Sequence, residues 1–211
     1  METRRNKLVV MGGTFDPPTI VHRAILRSAM DLIQADLAMI VPSNDFYDKK
    51  AWKSDYDPSL HQDFETRFRF LEMTFPESHF LLSRIETRFK ERVPMVKTLS
   101  IIHEEFPDHV LYLLLGYDNL VRFHHWKQPQ KILELASLIV VEREGDPSQI
   151  DRTIKKHPQL DLTAMKIIQS DPETKRISST RVRQTTSISE LEELVDPDVC
   201  DMIVEHHLYQ F

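Results

Sequence analysis

Six short apolar runs along the chain predict the strands of a buried sheet. The runs span residues 8–11, 37–41, 80–82, 110–115, 138–141 and, with a weaker pattern, 165–168. Each run is apolar at successive positions, whereas a strand with one face in water alternates apolar and polar residues. We therefore expect strands that are covered on both faces.

Segments with the period of an amphipathic helix lie between these runs. Apolar residues share one face in residues 20–35, 60–75 and 96–106. Pro76 and Pro107 end the second and third of these segments. Strands that alternate with helices are joined by right-handed crossovers. The pattern therefore predicts an α/β fold, a Rossmann-like doubly wound parallel sheet of five to six strands.

The rest of the chain consists of two hydrophilic connections and a small C-terminal part. Connection 43–59 is polar with interspersed aromatic residues, and connection 143–163 is hydrophilic. Loops this long within a compact domain are usually functional, so 43–59 is a candidate lid. Residues 1–183 are assigned to one domain and residues 184–211 to its helical extension.

The extension carries sequence signals for two small helices. Ser187 and Glu190 have the spacing of a capping box. Asp196 and Pro197 would supply the N-cap and the first-turn proline of the last helix.

Glycine is scarce, with only four residues in 211, and this scarcity excludes two common nucleotide-binding loops. Neither a G-x-G-x-x-G loop nor a Walker A loop can be formed from Gly12, Gly13, Gly116 and Gly145. Each of the four follows an apolar run, which places it at the carboxyl edge of the predicted sheet. Ligands of doubly wound sheets bind at that edge.

The charge and composition exclude several other classes of protein. The net charge is −6, so no overall basic field attracts nucleic acid. The single cysteine, Cys200, excludes an intrachain disulfide and fits a reducing compartment. No apolar run approaches membrane-spanning length. We therefore expect a cytoplasmic protein that binds neither nucleic acid nor membranes.

The densest cluster of special residues, Gly-Gly-Thr-Phe-Asp-Pro-Pro-Thr-Ile-Val-His, spans positions 12–22. A strand is expected to end here, Gly12 and Gly13 to turn the chain, and a helix to begin near Thr19. Backbone N–H groups and the positive end of a helix would then face an anion. Thr19 and His22 are three residues apart and share the helix-start face. A tight turn with a capping threonine is the structural alternative, but phosphate binding accounts better for the density of these residues.

A second cluster, Ile-Ser-Ser-Thr-Arg-Val-Arg, spans positions 177–183. Its hydroxyl residues are expected to precede a helix whose first turn carries Arg181 and Arg183. Hydroxyl groups, N–H groups and guanidinium groups together suit phosphate oxygens. The alternative is an ordinary helix cap with solvated arginines.

A third cluster follows the most hydrophobic run, where Gly116 and Asp118 lead to the aromatic residues 123–126. An aspartate at the end of a strand can hold ribose hydroxyls, and Trp126 can stack on a planar base. Alternatively, Trp126 belongs to the core. His124 and His125 have no nearby cysteine or carboxylate cluster, which disfavours a zinc site.

Together the three clusters resemble motifs of the nicotinate/nicotinamide mononucleotide adenylyltransferases, within the nucleotidylyltransferase superfamily. That family's first motif is similar to G-G-(S/T)-F-D-P-x-H-x-G-H, and its late motif to I-S-S-T-x-(I/V)-R. Its middle motif is similar to L-G-x-D with a tryptophan eight residues later, which is the spacing of Asp118 and Trp126. The matching residues lie in the family's order between about residue 7 and residue 183.

The resemblance implies roles for the matching residues. His22, Thr19 and Arg183 would be catalytic, and Trp126 and Thr98 would contact the acceptor base. Lys49 or Lys50, in a looser match, would reach a phosphate. The residues implied to bind ATP are Gly12, Gly13, Thr14, Phe15, Gly116, Asp118, Ser178, Ser179 and Thr180. The role of Arg67, which resembles an arginine of the family, stays open.

The resemblance also implies a reaction in which the phosphate of a mononucleotide attacks the α-phosphate of ATP, and pyrophosphate leaves with Mg²⁺. The ion would be held mainly by the ATP phosphates, without protein ligands. Two alternatives stay open: a sister nucleotidylyltransferase with another acceptor phosphate, and a catalytically weak nucleotide-binding module. A homo-oligomer is also left open.

Three departures from the family pattern bear on these roles. Thr19 replaces the usual first histidine, and Val21 replaces a glycine, whose loss is expected to crowd the nucleotide. A segment that helps recognise nicotinate falls on residues 93–99, where only Thr98 and Leu99 match.

Overall fold

The computed structural model of the chain describes residues 6–46, 61–142 and 148–211. Its centre is a six-stranded, wholly parallel sheet in the order β3-β2-β1-β4-β5-β6. The strands are β1 (Asn6–Gly13), β2 (Leu37–Pro42), β3 (Phe80–Leu82), β4 (His109–Gly116), β5 (Ala136–Glu142) and β6 (Lys166–Gln169). The predicted doubly wound sheet is therefore confirmed, with a strand at each of the six apolar runs.

Helices connect the strands and cover the sheet. They are α1 (Ile20–Ile33), α2 (Phe64–Thr74), α3 (Met95–Glu105), α4 (Tyr117–Arg122), α5 (Pro129–Leu135), α6 (Ser148–Lys156), α7 (Ser179–Gln184), α8 (Ile188–Leu194) and α9 (Pro197–Glu205). Short 3₁₀ turns at Ile85–Arg88, Phe123–His125 and Pro172–Arg176 complete the connections. No helix in the described ranges is long and apolar enough to cross a membrane.

The order of the strands creates a switch point between β1 and β4. From β1 the chain adds β2 and β3 on one side, and α3 then returns it to β4 on the other side. The register pairs Met11 with Leu114, so Gly12 and Gly13 lie beside the end of β4. Ligands of such sheets bind where the strand order reverses.

Alternate residues of the strands supply two hydrophobic cores, one on each face of the sheet. Val9 and Met11 face a core that also contains apolar residues of α1, α2 and α7–α9. Leu8 and Val10 face the opposite core, which contains apolar residues of α3–α6. The sequence predicted that every strand is covered on both faces. The edge strand β6 is an exception, because the side chain of Ile167 is 45% exposed.

The C-terminal helices belong to the first core. Leu191 and Leu194 of α8, and Val199, Cys200 and Ile203 of α9, are buried there. Residues 184–211 therefore pack against the sheet domain, and α9 contacts α2.

Two predicted helix caps differ in detail from the structure. The Ser187 hydroxyl accepts from Glu190 N, but the Glu190 carboxylate binds the Thr185 hydroxyl and Arg181 instead of closing a capping box. Asp196 occupies the N-cap position of α9 without capping it, because its carboxylate pairs with Arg23 of α1 at 3.2 Å. Ion pairing between elements therefore replaces the cap at Asp196, whereas Ser187 still caps α8 and only the Glu190 half of the box is lost.

Candidate active site at the switch point of the sheet

The loop between β1 and α1 begins differently from the sequence prediction. Gly12 and Gly13 do not turn the chain, because they continue β1 and pair with Val41 and Pro42. The turn follows at Phe15, which is buried and has the left-handed φ of 52°. Non-glycine residues seldom adopt this conformation, and those that do are often found at binding sites.

Gly12 and Gly116 lie at the ends of adjacent strands, and both have crowded surroundings. A Cβ atom on Gly12 would lie 2.5 Å from Cε of Met95, and a Cβ atom on Gly116 would lie 2.7 Å from Oδ1 of Asp118. The Asp118 carboxylate therefore folds back over the end of β4. This places it at the switch point, where the sequence analysis expects a ribose contact.

Thr19 and His22 lie together at the start of α1, as their spacing predicts. The Thr19 backbone N–H donates to His22 Nδ1 at 3.0 Å, and the Thr19 hydroxyl lies 2.8 Å from the same nitrogen. Because a backbone N–H can only donate, Nδ1 is an acceptor, and the neutral imidazole carries its proton on Nε2. Thr19 thus fixes the tautomer of His22 and the position of its ring.

The second cluster docks directly onto this loop. The Ser179 hydroxyl donates to the Pro17 carbonyl at 2.7 Å, and the buried guanidinium of Arg183 donates to the Asp16 carbonyl. Ser178 is the N-cap of α7 and accepts from Arg181 N. Two motifs about 160 residues apart in sequence therefore form one site.

Of the two arginines of α7, only Arg183 departs from both sequence expectations. The helix begins at Ser179, so Ser179 and Thr180 lie within it and Arg183 comes after its first turn. Arg183 is buried against the loop and also donates to the Thr180 hydroxyl at 3.3 Å, whereas Arg181 is partly exposed and pairs with Glu190. A direct catalytic contact of Arg183 stays a prediction, since in this structure its observed contacts are with the protein.

Asp16 is a buried point of attachment that the sequence analysis missed. Its side chain is 1% exposed. Oδ1 accepts from Gln62 N at 3.2 Å and from the Tyr209 hydroxyl at 2.8 Å, and Oδ2 contacts the His61 ring. These partners lie 45 to 193 residues away, so no local spacing could reveal them.

Arg67 of α2 connects the loop after β1 with the segment after β2. Its side chain is 3% exposed. It donates to the carbonyls of Thr14 at 2.7 Å, Ser43 at 2.8 Å and Gln62 at 3.1 Å, and it pairs with Asp45 at 3.0 Å. The role that the sequence left open is therefore structural support of the site, through backbone carbonyls that a buried cation satisfies.

Thr98 is fully buried beneath a buried carboxylate. Its hydroxyl donates to Oε1 of Glu86 at 3.3 Å, and Asn44 N donates to Oε2 of the same residue at 3.3 Å. Burial raises the pKa of Glu86 to about 7. Contact of Thr98 with an acceptor base stays a prediction, because the structure shows the hydroxyl supporting this interior cluster.

Trp126 is half-buried, and its ring lies 5.4 Å from that of Phe123. It packs at the margin of the second core, as the structural alternative expects, and its stacking on a base stays a prediction.

The ring of His124 stacks on the ring of His157, with 3.9 Å between centroids. In the ranges that the structure describes, His, Cys, Asp and Glu form no group that could hold a metal ion.

Val21, whose bulk was expected to crowd a nucleotide, points into the protein interior. Its side chain is 3% exposed and belongs to the first core, together with Phe15 and Val182. The side chain is therefore accommodated by core packing.

Some of the predicted site residues lie outside the part of the chain that the structure describes. They are Lys49, Lys50, Gly145 and most of the candidate lid 43–59.

Comparison with protein families and solved structures relates the chain to known nucleotidyltransferases. Residues 10–185 match the model of the Cytidylyltransferase-like family. In overall fold, the chain is similar to a Plasmodium falciparum nicotinic acid mononucleotide adenylyltransferase complexed with APC. The TM-score is 0.73 at 20% identity, over 98% of each chain. The same protein has also been solved with NaAD.

Curated sequences narrow the family further. A "Probable nicotinate-nucleotide adenylyltransferase" of Clostridium perfringens is 30% identical over 206 residues, which cover 97% of this chain and 98% of the relative. A protein of the same name from Aquifex aeolicus is 33% identical over 154 residues, 72% of this chain and 87% of the relative. The chain belongs to the nicotinate-nucleotide adenylyltransferases, within the Cytidylyltransferase-like family.

Proposed function

We propose that the protein transfers AMP from ATP to nicotinate mononucleotide and releases pyrophosphate, a step of NAD biosynthesis. The curated relatives carry this activity in their names, and the Plasmodium protein has been solved with NaAD and with APC, an ATP analogue. The observation that carries the proposal is the docking of α7 on the loop after β1. It brings both candidate phosphate-binding motifs to one helix start.

The reaction needs no nucleophile from the protein. An oxygen of the mononucleotide phosphate attacks the α-phosphorus of ATP in line, a new P–O bond forms, and the bond to the β-phosphate breaks with pyrophosphate as leaving group. The protein then contributes positioning and stabilisation of negative charge. The loop after β1, the start of α1 and Nε2–H of His22 are the groups proposed to do this.

Mg²⁺ bound with the ATP phosphates would supply positive charge that favours release of pyrophosphate. The groups gathered at the loop and α7 include hydroxyls, a guanidinium and an imidazole N–H, which suit phosphate oxygens better than a cation. The carboxylate of Asp16 in the same loop is already engaged by the His61 ring, Gln62 N and the Tyr209 hydroxyl. The residues present therefore fit an ion held by the nucleotide and not by protein ligands.

The adenosine and pyridine contacts are proposed from the family's pattern. Asp118, folded back over Gly116, would hold the ribose of ATP, and Trp126 would stack on the acceptor base. A cytoplasmic location and a homo-oligomer stay predictions from the sequence and the family.

A steady-state assay with three acceptors tests the proposal. Purified protein receives MgATP with nicotinate mononucleotide, nicotinamide mononucleotide or phosphopantetheine, and pyrophosphate and the adenylylated product are followed. Turnover is expected to be fastest with nicotinate mononucleotide. Turnover with phosphopantetheine alone would assign another acceptor, and ATP binding without turnover on any acceptor would contradict both enzyme assignments.

A further inference from the structure

The C-terminal end of the chain reaches the loop between β1 and α1. After α9 the chain places Tyr209 so that its hydroxyl donates to Oδ1 of Asp16 at 2.8 Å. The ring of Tyr209 stacks on Phe70 of α2, with 6.4 Å between centroids and 28° between planes. The last residues are therefore attached to the candidate site by a hydrogen bond and by packing.

The backbone of this segment adopts an uncommon conformation. His207 and Tyr209 have φ values of 50° and 61°, in the left-handed region that non-glycine residues rarely occupy. Such residues persist where surrounding contacts hold them. The contacts of Tyr209 with Asp16 and Phe70 hold the chain end here, together with the packing of Leu208 and Phe211 against the first core.

The hydrogen bond has the features of a strong interaction. Its acceptor is a carboxylate that is 1% exposed, and burial beside that carboxylate raises the pKa of Tyr209 well above its usual value. Tyr209 therefore remains a donor at every physiological pH. The carboxylate also accepts from Gln62 N, and the backbone carbonyl of Asp16 accepts from Arg183.

Asp16 lies between Phe15, where the loop turns, and Thr19, which orients His22. A shift of Asp16 would therefore displace the groups proposed to bind the phosphates. We propose that Tyr209 is a positioning residue that couples the C-terminal segment, residues 206–211, to the phosphate-binding loop through Asp16. The proposal rests on the proposed function only in assigning phosphate binding to that loop.

Coupling between two sites is reciprocal. If the docked chain end favours the loop conformation that binds ATP, bound ATP must favour the docked chain end. The coupling can therefore be measured with ATP alone, without an acceptor and without turnover.

The first test compares Tyr209→Phe with Tyr112→Phe as a matched control. Tyr209→Phe keeps the ring on Phe70 and removes only the hydroxyl, whereas Tyr112 lies on β4, away from the loop. Losing a hydrogen bond to a buried carboxylate is expected to lower kcat/KM for ATP about tenfold, mostly through a higher KM, because the coupling acts on ATP binding. The assay is run well below the melting temperature of both variants, so that partial unfolding does not contribute.

If Tyr209→Phe has a lower melting temperature but the same kcat and KM as the control variant, Tyr209 has a purely structural role and the proposal is overturned.

The second test follows hydrogen exchange of amides 206–211 with and without MgATP. ATP is expected to slow exchange in the wild type and to slow it less in Tyr209→Phe. Unchanged exchange with ATP shown to be bound would also overturn the proposal, whereas slowed exchange without turnover would contradict only the proposed function.

Discussion

At the scale of single residues, His22 is oriented before a substrate arrives. Thr19 contacts Nδ1 through both its backbone N–H and its hydroxyl, which leaves Nε2 as the protonated nitrogen. A donor fixed in this way can stabilise developing negative charge without reorganising during the reaction. The departure from the family's usual histidine at position 19 is therefore compatible with catalysis, because threonine supplies the orienting contact.

Replacing His22 with Ala should lower kcat about 100-fold, the effect of removing one preorganised donor to a developing charge. The dissociation constant of ATP should change only a few fold, since the loop and α7 remain. The His103→Ala variant, at an exposed position of α3, serves as the control. Near-normal kcat in His22→Ala would refute the role given to this side chain.

Glu86 predicts how stability depends on pH. Its pKa is about 7 in the folded protein and 4.5 as the ordinary value, so the folded state binds more protons between these two pH values. The contribution of Glu86 to the free energy of unfolding is therefore greatest below pH 4.5, and it is lost as the pH rises to about 7. The loss amounts to about 3 kcal/mol.

Glu86→Gln should remove this dependence while keeping an acceptor for Asn44 N and a partner for the Thr98 hydroxyl. Urea unfolding of the wild type and of Glu86→Gln at pH 5 and pH 8 measures the pH dependence of stability. The wild type should lose more unfolding free energy between these values than the variant does. Parallel losses in the two proteins would show that Glu86 is not the group responsible.

At the scale of elements, the loop of the site is held between two helices, of which α2 supplies no proposed substrate contact and α7 carries a candidate phosphate-binding motif. The loop after β1 is fixed from one side by Arg67 of α2 and from the other by Ser179 and Arg183 of α7. The Asn44 amide similarly joins the segment after β2 to the carbonyls of Glu86, Phe89 and Glu91. Rigid elements thus position a site that consists largely of loops and helix starts.

Arg67→Ala should destabilise the protein by about 2 to 4 kcal/mol, because it leaves buried carbonyls without their donor. It should also reduce kcat/KM for ATP in the fraction that remains folded. Arg69→Ala, an exposed position on the same helix, is the control and should change neither quantity appreciably. Equal unfolding free energies for the two variants, measured in urea, would contradict the supporting role.

At the scale of the whole molecule, the C-terminal helices complete the first core. Cys200 of α9 is buried in that core, and burial, reinforced by nearby acidic groups, raises the pKa of its thiol. Since Cys200 is the only cysteine in the sequence, its reaction with a thiol reagent reports on opening of this core alone.

Labelling of Cys200 in the folded protein should be at least about 1,000-fold slower than in urea-unfolded protein, as for a core that opens only on unfolding. MgATP should slow it further, since a ligand of the folded state stabilises that state. Labelling at the unfolded rate under native conditions would show that α9 undocks independently of the sheet.

Features that depend on neighbouring residues could be predicted from the amino-acid sequence. Apolar runs predicted a sheet of five to six strands because burial on both faces requires continuous apolar character, and the weakest run became the edge strand β6, where Ile167 is exposed. The pairing of Thr19 with His22 followed from their spacing at a helix start. The motifs and their order indicated the family, which the comparisons confirm.

Which distant groups meet, and which side chains are buried, depends instead on how the helices and strands pack together. Asp16 contacts Tyr209, and Arg67 contacts the Thr14 carbonyl. In each pair the two residues are far apart in sequence, and no helical or strand periodicity predicts their contact. The burial of Val21 and Thr98 likewise depends on the elements packed above them. Local spacing fixes which face of a helix or strand a residue occupies, but what that face meets is determined by how the whole chain packs.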